Sequence, residues 1–452
     1  MVAVGNVNWI KKTQDRIARL AGQTIRVGVT GLSGAGKTTF ITSLINQLEN
    51  HQRGLLARRS PFDRLVSVRW QRDGVANPFP YIEALGALSA TPAHWPSSTV
   101  DLARVVIDLQ FRPDGLLKSL QGSRSVRIEL LDYPGEWLLD LPLLGMGYGQ
   151  WCEQMASLLE IEPRRSLAGD LRDRLGRIDP GEPCDPALLG QLTADWTAFM
   201  RACRTEAGLS RNQPGRFLLP GSGIAPDMLA FVPLLSANRF SAGGQGSWWA
   251  KCEERFNYYR DFVVKGFYDE HFSQLDRQIL LVDMLEPMQA GQAALRDLKL
   301  ALEEVMGSFR YGRNSVLQRL FSPRIGRMAI CATKVDQVAP TQQRSVQQCL
   351  EDLVTDSLSD VRHGGVEVQG FPLAAVRAAD QQGETMVAGL VGETAYVRYQ
   401  PVTVPSHLPL DLEFAGPRLL HLRPPGGLHR NEPFPHFRMD ELAGWILEGR
   451  YP

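Results

Sequence analysis

The chain has 452 residues, 44% hydrophobic and 22% charged, a soluble composition with mass for two or three cores around a dominant one. Lysine plus arginine (49) balances aspartate plus glutamate (49), so no global charge argues for a nucleic-acid partner. Six scattered cysteines without a C-x-x-C pair suggest neither a disulfide framework nor a zinc cage and fit a reducing compartment, and eight histidines show no metal-ligand spacing.

The first predicted element is "NWIKKTQDRIARLAG", which places Ile10, Ile17 and Leu20 on one helical face among Lys11, Lys12, Arg16 and Arg19. That face is short, so a helix docked on the main domain is preferred to one lying on a membrane surface. No apolar run reaches the ~18 residues needed to span a bilayer, and no compact apolar signal opens the sequence, so the expected location is cytoplasmic.

"TIRVGVT" reads as a buried strand, and "TTFITSLINQLEN" carries Phe40, Ile41, Leu44, Ile45 and Leu48 at the spacing of a core-facing helix. Residues 51–100, rich in proline, glycine and arginine, read as a long, partly mobile connection. "ARVVIDLQF" and "SVRIELLDYPG" both alternate and are joined through Asp114-Gly115, which predicts an antiparallel pair. Residues 138–276 turn mostly helical. Strand character returns in "RQILLVDML", "RMAICATKVDQV" and "VEVQGFPLAAV", with helices between them, and a small β-rich piece with a final helix closes the sequence. The expected fold is α/β, a mainly parallel sheet with helices on both faces, plus a large helical insertion. The expected units are 1–137 with 277–380, then 138–276, then 381–452.

The stretch "RVGVTGLSGAGKTTF" crowds four glycines before a lysine and two threonines. Glycine lets peptide N–H groups turn inward and lets a ligand approach the main chain. Gly31 to Thr38 fits G-x-x-x-x-G-K-[ST] between a strand and a helix, as a phosphate-cradling loop requires. Ser33, Gly34, Ala35, Gly36, Lys37, Thr38 and Thr39 are the candidate phosphate ligands, with Lys37 reaching the β and γ oxygens and the Thr38 hydroxyl binding magnesium. Such a loop needs a carboxylate from another strand to hold the metal, and Asp132 ends one. The following "DYPG" places Gly135 where its N–H can donate to a γ-phosphate.

"RMAICA" runs into Thr333-Lys334-Val335-Asp336, where Ras-type proteins usually have Asn-Lys-x-Asp. Guanine presents N1–H and an exocyclic amine side by side, which a carboxylate accepts as two charge-assisted bonds, whereas adenine offers a repelling lone pair. Asp336 is thus expected to select guanine while the Lys334 stem covers the ring. In "LAAVRAA", Ala375, Val376 and Arg377 are candidates to present a backbone N–H to the guanine O6.

Together "GLSGAGKT", "DYPGEW", "TKVD" and "FYDEHFSQLDRQILLVDML" resemble the YcjX-like family of bacterial P-loop GTPases over nearly the whole chain. The resemblance implies a Ras-like nucleotide domain, GTP or GDP with Mg²⁺ as ligands, a bacterial stress association, and a protein effector with a link to an inner-membrane partner. A peripheral position at that membrane is therefore a second option for location. Two positions depart from the Ras pattern. Glu136 stands where a glutamine usually orients water. Spacing does not settle the threonine that senses the γ-phosphate and helps hold the metal; Thr99 is the choice, with Ser98 behind it, against a plain strand N-terminal hydroxyl. The leading reading is a slow GTPase switch. The rivals are a GTP/GDP-responsive scaffold that hardly hydrolyses and, less favoured, an ATPase or nucleotide kinase.

Overall fold

The computed structural model describes residues 24–32, 34–71, 74–98, 100–112, 124–221, 226–236, 244–309, 325–408 and 416–449. The expected N-terminal helix lies outside them, as do Ser33 and Thr99.

Seven strands make the central sheet: β1 (Thr24–Gly31), β2 (Leu65–Gln71), β3 (Ala103–Phe111), β4 (Arg124–Asp132), β5 (Arg277–Val282), β6 (Arg327–Ala332) and β7 (Glu367–Pro372). Their order is β2-β3-β4-β1-β5-β6-β7. β4, β1, β5, β6 and β7 run parallel, while β3 is antiparallel to both β2 and β4. The pairing of the two alternating runs is therefore as expected, with Ala103 opposite Asp132 and Phe111 opposite Arg124. Register places Val29 beside Asp132 and Gly31 beside Leu281. The carboxyl ends of the parallel strands thus share one edge, the position where open α/β sheets bind ligands.

Residues 51–100 differ from the expected loose connection. They supply edge strand β2 and a helix, Tyr81–Ser89, whose Tyr81, Ala84, Leu85 and Leu88 are buried. The strand has 7 residues and the helix 9, so neither fills a window long enough to show its period. β2 is also mostly half-exposed, which removes the apolar alternation.

Helix α1 (Lys37–Glu49) follows β1 and is buried along most of its length. Ile25, Val27 and Val29 of β1 join Phe40, Ile41 and Ile45 in the core on one sheet face, closed by the C-terminal helix Met439–Leu447. The opposite face is covered by the helical segment. Trp151, Trp196, Phe256 and Tyr259 share one continuous buried cluster with Leu131, Leu280 and Ile330. Burying aromatics of this size against the sheet contributes about 2–3 kcal/mol each, so the helices are anchored to it.

A second, antiparallel sheet contains β8 (Ala379–Gln382), β9 (Thr385–Gly389) and β10 (Tyr396–Tyr399). The chain then returns across α1. Asn46 Nδ2 donates to the carbonyls of Arg430 and Glu432 at 3.1 Å each, Gln47 Nε2 to Phe434 O at 2.8 Å, and Asn50 Nδ2 to Arg430 O at 2.7 Å. Two buried amides on the core helix and a third at its C-cap explain themselves by holding this strap. Among the described residues no helix is long and apolar enough to cross a membrane.

Candidate functional site

A cleft of about 490 Å³ opens at the carboxyl edge of the sheet, a size suited to a small ligand. Gly34, Ala35, Gly36, Lys37, Thr38 and Thr39 form one end of it. Gly34 and Gly36 both sit at φ 79°, a left-handed backbone that L side chains resist. Gly36 begins α1 and has no side chain to cap it, so the first N–H groups of the helix face the cleft mouth without intrahelical acceptors. With the helix dipole, that end favours an anion.

Lys37 Nζ lies 3.0 Å from Asp132 Oδ1, and Asp132 is fully buried at the end of β4. The lysine of the predicted phosphate loop and the predicted metal carboxylate are therefore neighbours. Thr38 Oγ1 donates to Ser97 O at 3.2 Å, which brings the segment before β3 against the loop, and Ser98 lines the cleft. Gly135 packs so closely on the loop that a Cβ there would collide with the Gly31 carbonyl. Glu136, buried beside it, pairs with Arg204 of helix α2 (Pro186–Ala207), Nη1 to Oε1 at 3.0 Å. Both residues line the cleft.

The other end is built from β6 and β7. Thr333 ties β6 to β5, its N–H donating to Val282 O at 2.9 Å. Lys334 adopts the left-handed region at φ 59°, and its Nζ lies 2.6 Å from Asp283 Oδ2. Burial alone lowers the ammonium's proton affinity, but Asp283, helped by Glu286 and Asp336, reverses this and raises it. Asp336, 5% exposed, accepts from Ala378 N at 2.7 Å. Burial pushes its carboxyl up to about 6, against the pull of the N–H groups of Ala378, Asp336 and Ala379 and of the Lys334 charge.

Ala375 and Val376 line the cleft beside Asp336, and their N–H groups have no acceptor among the described residues. Arg377 is placed differently from expectation. Its N–H is donated to Pro435 O at 2.7 Å, its guanidinium pairs with Asp380 at 2.9 Å, and it is not part of the cleft lining. The strap over α1 turns its backbone away, a long-range effect that no local pattern encodes.

Several lining residues escape sequence reasoning. Asp283 directly follows β5 as Asp132 ends β4, a signal that could have flagged it. Its Oδ1 accepts from Leu285 N at 3.0 Å, which fixes the carboxylate for Lys334. Arg204 and Leu219 come from the helical segment and Trp95, Val391, Leu419, Leu420 and Leu422 from distant loops. Trp95 Nε1 donates to Leu422 O at 2.7 Å, so the apolar wall is one assembled piece.

The model of the YcjX-like family, DUF463, matches residues 25–450. The chain is 36% identical over 459 residues to the Ras-like GTPase YcjX of Escherichia coli (strain K12), covering 94% of this chain and 95% of that protein. It is 33% identical over 471 residues to the Ras-like GTPase YcjX of Shewanella oneidensis, covering 97% and 96%. The sheet order, the glycine loop at the end of β1 and these full-length matches agree: the chain has a Ras-like P-loop fold and belongs to the YcjX-like family.

Proposed function

We propose that this protein binds GTP and GDP, hydrolyses GTP slowly with Mg²⁺, and works as a conformational switch. The observation that carries the reading is the cleft itself. It joins a helix-terminal anion site at Gly34–Thr39 to a base site holding Asp336, Lys334 and the N–H groups of Ala375 and Val376. A guanine seated there gives Asp336 two donors, offers O6 to a backbone N–H, and lies against the Lys334 stem. The relatives named above as Ras-like GTPases support the same reading.

The Thr38 hydroxyl and Asp132 carboxylate are hard oxygen donors that fit magnesium, with Thr99 the proposed third protein ligand. Bound to the nucleotide, the metal would neutralise charge on the phosphates. Lys37 would leave Asp132 for the β and γ oxygens, and water would attack the γ-phosphorus in line. Without an activating partner the rate should be about 10⁻⁴ to 10⁻² per second.

Residues 1–137 with 277–380 act in this reading as the nucleotide unit, 138–276 as its reader, and 381–452 as the extension that closes the base end. The coupling route starts at Gly135. Glu136 and Trp137 follow it, and a Cβ on Gly215 would strike the Glu136 carbonyl. Trp137 Nε1 donates to Leu219 O at 3.0 Å, and the Arg216 guanidinium lies 3.3 Å over its ring. Loss of the γ-phosphate would release Gly135 and move this packed contact. The protein effector, its stress setting and a place at the inner membrane rest on the family resemblance.

Glu136 favours a second reading, a nucleotide-responsive scaffold, because a carboxylate stands where water is usually oriented. Melting temperature with GTP, GDP or ATP plus magnesium tests the ligand, and phosphate release tests turnover. Stabilisation by ATP in preference to guanine nucleotides would overturn the base assignment; zero turnover with every candidate partner would favour the scaffold.

A further inference from the structure

We propose that Arg204, supplied in cis by the helical segment, is the arginine that stabilises the transition state of GTP hydrolysis, and that Glu136 holds it in place before GTP binds. The inference rests on the GTPase reading above. Among the described residues that line the cleft, Arg204 is the only arginine. The two lysines there are already placed: Lys37 belongs to the phosphate loop and Lys334 is tied to Asp283 at the base end.

Position follows from a chain of contacts. Gly135 abuts the Gly31 carbonyl, Glu136 is the next residue, and Arg204 Nη1 lies 3.0 Å from Glu136 Oε1. The guanidinium is thus held at the phosphate end. Its helix is rigid there, because Trp196, Met200 and Cys203 are buried in the shared core and Asp185 caps the N-terminus by accepting from Ala187 and Leu188. The pair also answers a difficulty of charge. A bare carboxylate at Glu136 would repel a triphosphate, and the guanidinium cancels it.

In the reaction, the water oxygen bonds to the γ-phosphorus as the bond from that phosphorus to the β–γ bridging oxygen breaks. GDP and inorganic phosphate leave, and the water proton ends in the phosphate pool. Arg204 exchanges no proton. It keeps Glu136 on one N–H and donates others to the phosphate oxygens that gain charge, an interaction made fully only in the transition state.

The test uses the full chain carrying Arg204→Ala or Arg204→Lys. Affinities for a fluorescent GTP analogue and for GDP, single-turnover phosphate release, and capture of GDP with aluminium fluoride are measured. Both variants should keep nucleotide affinity within about threefold, lose about 10³-fold in hydrolysis and fail to form the aluminium fluoride complex. If the alanine variant does not fold, the lysine variant, which keeps the charge and stem, carries the same comparison. Wild-type turnover and aluminium fluoride capture in either variant overturn the proposal. So does an equal loss of GTP and GDP binding, which would make Arg204 a binding group and leave the GTPase reading standing. Absence of turnover in the unmodified protein would fell both readings together.

Discussion

Lys37, which lines the cleft, and Asp132 lie 3.0 Å apart, the lysine on the first turn of α1 and the carboxylate fully buried at the end of β4. The two opposite charges thereby rest on each other. A nucleotide and its metal must separate them, which replaces one buried ion pair by two better-solvated partnerships. Lys37→Ala is expected to weaken GTP and GDP binding by about 100-fold, since it removes a charge-assisted contact to phosphate. It should also lower the unfolding free energy of the ligand-free protein by about 2 kcal/mol, because the buried carboxylate loses its cationic neighbour. Calorimetric titration and denaturant unfolding read the two effects separately; an unchanged affinity for both nucleotides would sink the phosphate-loop assignment.

Two glycines of the site should respond differently to alanine. At Gly36 the obstacle is backbone alone: φ is 79° and a Cβ would meet nothing within 4 Å, so Gly36→Ala should cost about 1–2 kcal/mol in stability. At Gly135 the conflict is steric, with the Gly31 carbonyl directly in the way. Gly135→Ala must push the following turn off the loop and should abolish any difference between the GTP and GDP states in protease sensitivity. A variant that keeps that difference would break the proposed coupling.

The pH dependence follows from Asp336, whose carboxyl burial pushes up to about 6. Between about pH 4 and 6 the unfolded chain has lost this proton while the fold retains it, so ligand-free stability falls as pH rises through that window and is level above it. Asp140, also pushed up to about 6 by burial, adds a change of the same sign. Guanine needs the ionised form. GDP affinity should therefore drop by about tenfold for each pH unit below about 6, and Asp336→Asn should remove that slope. The same variant should prefer xanthine nucleotides; retention of the original guanine preference would refute the role given to Asp336.

Trp137 should report the bound nucleotide. Its indole N–H is donated to Leu219, a cleft residue, and Arg216 covers its ring. Movement at Gly135 changes both contacts, so tryptophan emission should differ between GDP and a non-hydrolysable GTP analogue. Trp137→Phe should erase that difference while the other tryptophans remain; persistence of the full signal would place the movement elsewhere.

Asp140 fastens the helical segment behind that tryptophan. Its carboxylate accepts from Gly215 N at 2.9 Å, from Arg216 N at 3.3 Å and from the Tyr259 hydroxyl. Asp140→Ala strands buried donors and should lower the unfolding free energy by about 2–4 kcal/mol, measured in urea. A smaller loss than about 0.5 kcal/mol would mean that water replaces the carboxylate there.

The glycine loop was legible because its pattern is local. Gly31 to Thr38 carries strand, turn and helix start within a few residues, and each residue type answers to one backbone or phosphate requirement. Asp132 and Asp336 were legible for a related reason, since Asp132 ends one apolar strand and Asp336 lies in the turn that follows another. Arg377 shows the limit. Its sequence neighbours form part of the base loop, yet Pro435 takes its N–H and Asp380 its side chain. Arg204 was silent for the same cause in reverse, because nothing along a surface-patterned helix marks one arginine as the residue that turns into a cleft.

Sequence alone therefore determined the elements whose physics is short-ranged: the alternating strands, the periodic helices, the glycine loop and the Thr-Lys-x-Asp turn after β6. Only the folded chain decided which distant side chains complete the cleft, that Lys37 rests on Asp132, and that a helix of the insertion meets Glu136. Those relations depend on which faces are buried together, and burial is a property of the whole packed molecule, set by contacts between segments far apart in the chain.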